Sequence, residues 1–176
     1  ESLSIDVVRS LREGSAPLAI CWDAADLEGF QTRPYRTDHL AAIVHRSHAL
    51  AQAQTCTFAQ TLDHRHIGMP AQTAVQTMLN RHAAILGRRI DYRAVVSTFD
   101  AALRCVRADL GLAILPTEIA APVAQALGIH AVPLRDDWAR RQFAICSRDF
   151  DALSPAGNLL VAFLQARAGE DGSPPA

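Results

Sequence analysis

Residues 95–116, with the sequence VVSTFDAALRCVRADLGLAILP, constrain the fold more than any other part of this chain. A pair of valines leads into Ser97, and the apolar residues that follow recur at the spacing of one helix face: Phe99, Leu103, Val106 and Leu110. Ser97, with Asp100 three residues later, is the predicted cap of this helix, and Gly111 is its predicted end. An apolar run at 112–115 then predicts a buried strand. The segment is therefore predicted to be a β-α-β unit.

This unit also predicts where a ligand binds. A β-α-β unit places the N-terminus of its helix at the carboxyl edge of the preceding strand, which is where open α/β sheets bind ligands. Free backbone N–H groups and the helix dipole favour an anion there, such as a carboxylate. We therefore expect Ser97, Thr98 and Phe99 to contribute to a ligand site. A purely structural capping role is the alternative for Ser97, and helical spacing favours a core position for Phe99.

The rest of the chain alternates between strands and helices in the same way. Strands are predicted at residues 18–22, 39–45, 66–69, 90–96, 130–134 and 142–147, and helices at 3–12, 58–62, 73–86, 116–127 and 154–167. Such alternation indicates parallel sheets covered by helices. Residues 169–176 are rich in glycine, proline and serine and are predicted to be a disordered tail.

Composition narrows the class of protein. The 176 residues, 49% hydrophobic and 20% charged, are typical of an ordinary globular protein of one domain or two small lobes. A net charge of −1 indicates no basic face for nucleic acid, and no apolar run approaches the length of a membrane span. All 17 basic residues are arginine, which excludes Schiff-base or Walker lysines within this chain.

The cysteines and histidines carry no metal motif. The four cysteines have no C-x-x-C spacing and are predicted to be reduced, buried small hydrophobes in a cytoplasmic protein; a redox-sensing thiol is the alternative. Two histidine pairs are close in sequence, His45 with His48 and His64 with His66, but a pair supplies only two of the four ligands that zinc prefers. Asp136 and Asp137 are predicted to lie in a solvated turn. We therefore predict no metal, no cofactor and no catalytic group.

Five ordered stretches resemble the effector-binding domain of LysR-type transcriptional regulators. Residues 95–116 are similar to the family pattern V-S-S-x-x-A-L-x-x-V-x-A-G-L-G-I-A-x-L-P, and similar agreement occurs at 7–20, 48–51, 132–145 and 153–164. The chain departs from the family pattern at Pro17, where aspartate is usual, at Ala49, where proline is usual, and at Asp109, where glycine is common. Aspartate tolerates the left-handed backbone region that glycine favours better than most residues do.

The resemblance implies a two-lobed, type II periplasmic-binding-protein-like α/β fold with part of the first lobe missing. The first lobe is expected to be discontinuous, at 1–54 and 141–168, and the second to span 55–140. The effector is expected between the lobes, whose hinge closure would report occupancy. The turn Met69, Pro70, Ala71 is expected to border it, as the corresponding turn does in the family. Cys21 and Trp22 end a first-lobe strand; Trp22 is expected either to stack on the ligand or to pack in the core.

The function implied by the resemblance is that of a non-enzymatic sensor. A small, anionic metabolite would bind and shift a population of conformers. A winged helix-turn-helix, which this chain is expected to lack at a truncated N-terminus, would make the contact with DNA. The full-length regulator would be a cytoplasmic dimer or tetramer without membrane contact. A periplasmic-type solute receptor of a transporter is the alternative, followed by a small enzyme on the same two-lobe fold, such as a prephenate-dehydratase-like or deaminase-like protein.

Overall fold

A computed structural model describes residues 4–22 and 26–170. Its strands are β1 (Ala19–Trp22), β2 (Gln31–His45), β3 (His66–Gly68), β4 (Tyr92–Val95), β5 (Ala113–Pro116), β6 (Ile129–Pro133) and β7 (Arg140–Ser147). Its α-helices are α1 (Ser4–Glu13), α2 (Phe58–Thr61), α3 (Ala74–Ile85), α4 (Phe99–Arg107), α5 (Thr117–Ala120), α6 (Ala124–Leu127) and α7 (Pro155–Glu170). Short 3₁₀ turns lie at Ala49–Gln52, Ala121–Val123 and Asp137–Ala139.

The chain divides into two compact units. One consists of Glu1–Thr37 with Arg141–Ala176, and the other of Asp38–Arg140. The sequence assigns residues 38–54 to the first lobe, whereas their contacts group them with the second unit. The physical reason is that the last part of β2 is fully buried between the strands β5 and β6 of that unit, with which it pairs.

A mixed sheet forms the centre of the second unit. β2 pairs antiparallel with β5 and with β6, so that Ala42 lies opposite both Ile114 and Val132. β3 pairs parallel with β4, and an isolated parallel bridge between His66 and Leu112 joins β3 to the residue before β5. The β-α-β unit predicted at 95–116 is confirmed as β4, α4 and β5. The prediction of parallel sheets is confirmed for β3 and β4 and is wrong for β2, which runs antiparallel to β5 and β6.

Helices cover both faces of this sheet because side chains alternate along a strand. Leu40, Ala42 and Val44 belong to a core cluster that contains Phe58 of α2 and Leu79 of α3. Ala41 and Ile43, on the opposite face, belong to a cluster with three α4 residues: Ala102, Leu103 and Val106. The second unit is therefore a three-layer α/β structure in which α4 packs on the sheet through the middle of its predicted apolar stripe, Leu103 and Val106.

Two predicted elements differ from those observed. β2 begins at Gln31 rather than residue 39, because its first residues form a partly exposed, polar strand that carries no apolar pattern. The helix predicted at 116–127 is broken into α5, a 3₁₀ turn and α6, and Pro122 lies in the turn. Proline lacks the N–H group that a continuous helix requires there. No helix of the described ranges is long and apolar enough to cross a membrane.

The first unit contains the strand order β1-β7-β2. β1 pairs antiparallel with β7, with Cys21 opposite Ala144 and Ile20 opposite Ile145. α1 packs on one face of these strands, and α7 packs on the other face through Val161 against Ile145. α7 continues to Glu170, so the prediction of a disordered tail is wrong for residues 169 and 170. The other residues of that predicted tail, 171–176, lie outside the described ranges.

Candidate functional site

The carboxyl ends of two neighbouring parallel strands meet in the second unit. Gly68 ends β3 opposite Val95, which ends β4, and the N–H of Val96 donates to the carbonyl of Gly68 at 2.9 Å. Each strand is followed by a short turn and then by a helix, α3 after β3 and α4 after β4. The two turns that the sequence predicted to border a ligand therefore leave the same edge of the sheet side by side.

Thr98, rather than Ser97, caps α4. Its side-chain oxygen accepts from the N–H of Ala101 at 3.2 Å, and its backbone is extended, as a capping residue requires. The predicted Ser97–Asp100 capping box is wrong because the helix begins at Phe99, one residue later than that box demands. The carboxylate of Asp100 instead accepts from the Arg104 guanidinium at 2.7 Å. Ser97 is exposed, and the cap does not use its hydroxyl.

Thr73 caps α3 and also fixes the preceding turn. Its hydroxyl accepts from the N–H of Gln76 at 3.4 Å and donates to the carbonyl of Pro70 at 2.9 Å. The hydroxyl of Thr77 donates to the carbonyl of Ala71 at 3.0 Å. The turn between β3 and α3 is thus held from the helix side by side-chain hydrogen bonds.

Gln76 is a positioning residue that the sequence analysis missed. Its side chain is buried, and its carbonyl oxygen accepts from the N–H of Met69 at 3.0 Å. Its amide donates to the Tyr92 hydroxyl, which in turn donates to Asn80 at 2.8 Å. Burial raises the pKa of Tyr92 to about 12, and the Gln76 hydrogen bond opposes this only in part. A polar residue within an amphipathic helix gives no sequence signal for such a role, because its partners come from a turn and another strand.

The predicted second-unit residues present an accessible, mixed surface. Ser97, Thr98 and Ala71 are exposed, and Met69 and Pro70 are partly buried. The core position favoured for Phe99 is wrong, because 39% of this residue is exposed. The α4 stripe is buried only at its middle, so that its first residue lies at the open edge of the sheet.

Cys21 and Trp22 lie in the first unit. Cys21 is only 4% exposed and belongs to the core cluster beneath α1, which does not favour its predicted contact with an effector. Trp22 is partly buried, and the guanidinium of Arg141 lies 5.7 Å from its ring centroid. An arginine near the face of an aromatic ring is a cation–π contact within this unit.

The ring contacts of His48 and His82 join residues that are distant in the sequence. His48 packs edge-to-face on His64 with ring centroids 4.4 Å apart, and His82 stacks on Trp138 at 4.3 Å. His66 is buried, its Nε2 donates to the Thr61 carbonyl at 2.9 Å, and burial lowers its pKa to about 4. Within residues 4–22 and 26–170, no group of three or more His, Cys, Asp or Glu side chains is arranged to hold a metal ion.

The sequence predicted that Asp136 lies in a solvated turn, but its carboxylate also contacts the protein backbone. One carboxylate oxygen accepts from the N–H of Phe58 at 2.7 Å, at the first residue of α2. This contact satisfies one of the unpaired N–H groups at the beginning of that helix. The role of Asp136 is therefore structural.

These observations define an α/β, periplasmic-binding-protein-like domain with its accessible polar turns at the carboxyl edge of parallel strands. A family model described as the LysR substrate-binding domain matches residues 1–169. This chain belongs to the LysR substrate-binding domain family. A search among curated proteins found no match.

Solved structures share the fold at low sequence identity. The effector-binding domain of QuiR in complex with shikimate is 17% identical, with a TM-score of 0.75 over 96% of this chain and 79% of that chain. The Synechocystis PCC6803 CcmR regulatory domain in complex with 2-PG is 12% identical, with a TM-score of 0.82 over 95% and 80%. A full-length BenM mutant is 20% identical, with a TM-score of 0.78, and this chain spans 59% of its length.

Proposed function

We propose that this chain senses a small anionic metabolite as the regulatory domain of a LysR-type transcriptional regulator. Membership of the LysR substrate-binding domain family supports a regulatory role. The observation that carries the ligand class is the pair of adjacent helix N-termini, of α3 and α4, at one carboxyl edge of the sheet. Two structural relatives, QuiR in complex with shikimate and CcmR in complex with 2-PG, support a small-molecule effector.

The local chemistry favours a carboxylate attached to a compact apolar body. Each helix N-terminus carries about half a positive charge and several outward-pointing N–H groups. Thr73 and Thr98 each occupy one of those groups, which leaves the others for a ligand. The exposed hydroxyl of Ser97 adds a donor, and Phe99 and Met69 add apolar surface. The Asp100 carboxylate in the first turn of α4 is paired with Arg104, which reduces its repulsion of an anion.

We propose Ser97, Thr98, Phe99, Met69, Pro70 and Ala71 as effector contacts on the second unit, and Trp22 as a contact on the first. The position of the effector between the units, which the family resemblance implies, stays a prediction. Binding would favour whichever conformer has the higher affinity, and it can shift the equilibrium only by that difference in affinity. A DNA-binding domain of the full-length regulator would receive the signal. The sensor domain would act without catalysis or a cofactor, in the cytoplasm, within a homo-oligomer.

Thermal-shift and calorimetric titration with a panel of small carboxylic acids tests this proposal. Each acid is paired with its uncharged primary amide, so that the anion is the only major difference. We expect at least one acid to stabilise the chain by about 2.7 kcal/mol at one hundred times its Kd, and its amide to bind much more weakly. If amides bind as well as acids, the anion assignment fails; if no acid binds, the proposed sensing function of this chain fails.

The substitution Ser97→Ala locates the site. Because Thr98 provides the cap, this change removes a hydroxyl at the sheet edge without removing a helix cap. We expect weaker acid binding with little change in stability. Thr55→Ala is the matched control, because Thr55 is an exposed residue elsewhere in the same unit. Equal affinities of wild type and Ser97→Ala would contradict a direct contact.

A further inference from the structure

A solvent-open cavity of about 410 Å³ lies in the second unit, between the last turns of α3 and the first residue of β4. Its lining residues come from α3, from the loop at 88–90 and from Tyr92, and no carboxylate is among them. The volume lies within the range of about 300–1,000 Å³ that small-molecule pockets have. The proposed effector contacts at 69–71 and 97–99 do not line it, so it is separate from the proposed effector site.

The end of α3 returns the chain toward this cavity. Gly87 adopts a positive φ of 67°. The N–H of Gly87 donates to the carbonyl of Ala84, and the N–H of Arg88 donates to the carbonyl of Ala83, each at 2.9 Å. This is the Schellman arrangement that ends many helices. Both alanine carbonyls therefore have a donor already, and two consecutive arginines follow directly beside the cavity.

The two arginines differ in how they are held. The Arg88 guanidinium donates to the carbonyls of Ala59 and Leu62, at 3.3 and 2.8 Å. It also pairs with the Asp63 carboxylate at 2.8 Å. Arg89 is exposed, and its guanidinium has no ion-pair or hydrogen-bond partner among the described residues. Arg88 is thus a fixed wall of the cavity, whereas Arg89 is a cation available to a ligand.

A chain of hydrogen bonds fixes the orientation of the Asn80 amide, which lines another part of the cavity. The Oε1 atom of Gln76 accepts from the N–H of Met69, so its Nε2 atom is the donor. Nε2 donates to the Tyr92 hydroxyl and to Asn80 Oδ1, and that hydroxyl also donates to Asn80 Oδ1. The Nδ2 atom of Asn80 keeps its two N–H groups, which have no partner within the described ranges.

The side-chain groups still available at the cavity are therefore donors, on Arg89 and Asn80. Donors beside a positive charge that no carboxylate neutralises favour an anion over a cation or a neutral donor. A planar guanidinium binds a carboxylate through two parallel hydrogen bonds. Ala84, Ile90 and the Tyr92 ring line the rest of the cavity with carbon atoms. A carboxylate on a flat apolar body matches both parts.

We propose that this cavity is a second ligand site, which binds a small carboxylate with a flat apolar body. Arg89 and Asn80 bind the carboxylate, and the carbon-lined part contacts the body of the ligand. This proposal does not depend on the proposed effector site, because the two share no contact residue. A sequence signal for the site was absent, because its residues meet only when the loop at 88–90 folds back on α3.

Fluorine NMR of the fluorotyrosine-labelled chain, titrated with phenylacetate, tests the proposal. The chain has two tyrosines: Tyr92 lines the cavity, and Tyr35 lies in the first unit and is the internal control. Tyr35→Phe assigns the two resonances. We expect phenylacetate to shift the Tyr92 resonance saturably, and its uncharged amide, phenylacetamide, to shift it far less. An equal shift by the amide, or no shift by the acid, would overturn the proposal.

Substitutions locate the bound carboxylate. Arg89→Gln should weaken phenylacetate binding by about tenfold, the loss that one charge-assisted hydrogen bond supplies. Arg107→Gln is the matched control, because Arg107 is an exposed arginine on α4 of the same unit. Asn80→Asp keeps the acceptor for Tyr92 but replaces the donor with a negative charge, and should abolish binding. Circular dichroism verifies the fold of each variant, and equal affinities of Arg89→Gln and Arg107→Gln would contradict the site.

Ser97→Ala separates this site from the proposed effector site. We expect this variant to retain the wild-type titration of the Tyr92 resonance, because Ser97 does not line the cavity. Loss of that titration in Ser97→Ala, with no loss in Arg89→Gln, would assign the bound phenylacetate to the effector site and overturn the proposal. Conversely, a wild-type response in Ser97→Ala and a weakened one in Arg89→Gln supports a second site, whether or not the effector proposal holds.

Discussion

The two units differ in how completely they bury their apolar residues. Among the described residues, the second unit has core clusters of thirteen and ten buried residues, one on each face of its sheet. The first unit has two clusters of four. Both units also expose some large apolar side chains, such as Leu159 (72%) in the first and Ile85 (69%) in the second. Because apolar burial is the main stabilising contribution to folding, the stability of the described structure depends chiefly on the second unit.

This difference also separates the roles that we assign to the units. The second unit holds its turns and helix caps on a filled core, which gives the proposed effector contacts fixed positions. The first unit, which carries Trp22, has a short edge strand over a small core. The comparison can be tested with substitutions whose expected effects differ in size.

The largest expected effect follows the loss of an aromatic ring from the second unit. Phe58 is fully buried and packs edge-to-face on Trp138 at 5.4 Å. We expect Phe58→Ala to lower the free energy of unfolding by about 3–5 kcal/mol. Phe163→Ala, in the first unit, should change it by less than about 0.5 kcal/mol, because that ring is largely exposed. Urea unfolding followed by circular dichroism measures both, and similar losses would contradict the comparison.

Acid is expected to destabilise the second unit through His66. Its pKa is about 4 in the folded chain and close to 6.5 when unfolded, so the unfolded state binds more protons between these values. The contribution of His66 is therefore complete above pH 6.5 and is lost as pH falls through 4, for a total of about 3 kcal/mol. Burial also lowers the pKa of His48 and His82, which adds a loss of the same sign.

The free energy of unfolding, measured by tryptophan fluorescence at pH values between 7 and 4, tests this dependence. A Trp22→Phe background leaves Trp138 as the only tryptophan, so that the signal reports on the second unit alone. His66→Gln should reduce the slope of this dependence, whatever its effect on stability at pH 7. The matched control is His130→Gln, because His130 is exposed in the same unit. An unchanged slope in His66→Gln would show that His66 is not the group responsible.

The substitution Gly111→Ala is expected to have an intermediate effect on the free energy of unfolding. A Cβ atom at this position would lie 2.6 Å from the backbone oxygen of Arg65. That oxygen accepts from the N–H of Leu112 at 2.9 Å, so the two segments cannot separate without loss of this bond. We expect Gly111→Ala to cost about 1–3 kcal/mol in thermal unfolding. Gly87→Ala meets no atom within 4 Å and should cost only about 1 kcal/mol, for its positive φ of 67°.

The smallest expected effect concerns the cap of α4. Thr98→Ala should cost about 1 kcal/mol, because the N–H of Ala101 loses its acceptor. Ser97→Ala should cost less than about 0.5 kcal/mol. Hydrogen exchange of the first α4 amides measures the local consequence. A larger loss of stability in Ser97→Ala than in Thr98→Ala would show that Ser97 is the cap.

Most elements could be predicted because their signals are local. α4, β5 and α3 follow from the spacing of their apolar residues. The boundaries were less predictable. The helix predicted at 73–86 ends in residues that do not pack, since Ile85 is 69% and Leu86 is 47% exposed.

The proposed site was predictable in its location but not in its internal contacts. The sequence placed the turns at 69–71 and 97–99 after strands, and a parallel sheet brings such turns to one edge. It could not show that Gln76 holds Met69 and Tyr92, because those three residues meet only after β3 and β4 have paired. Serine and threonine both cap helices, so the sequence did not distinguish Ser97 from its neighbour Thr98 as the cap of α4.

The sequence by itself determined the order of strands and helices, the β-α-β unit at 95–116 and the family to which the pattern belongs. These features arise from contacts and hydrogen bonds within a few residues, which periodicity and capping residues report. Only the tertiary structure decided that Asp109 takes the positive φ near the end of α4, while Gly111 is required where the chain passes the backbone of Arg65. It also decided that Cys21 and Cys146 are diagonal neighbours on one strand pair, because residues so distant along the chain become neighbours only through strand pairing.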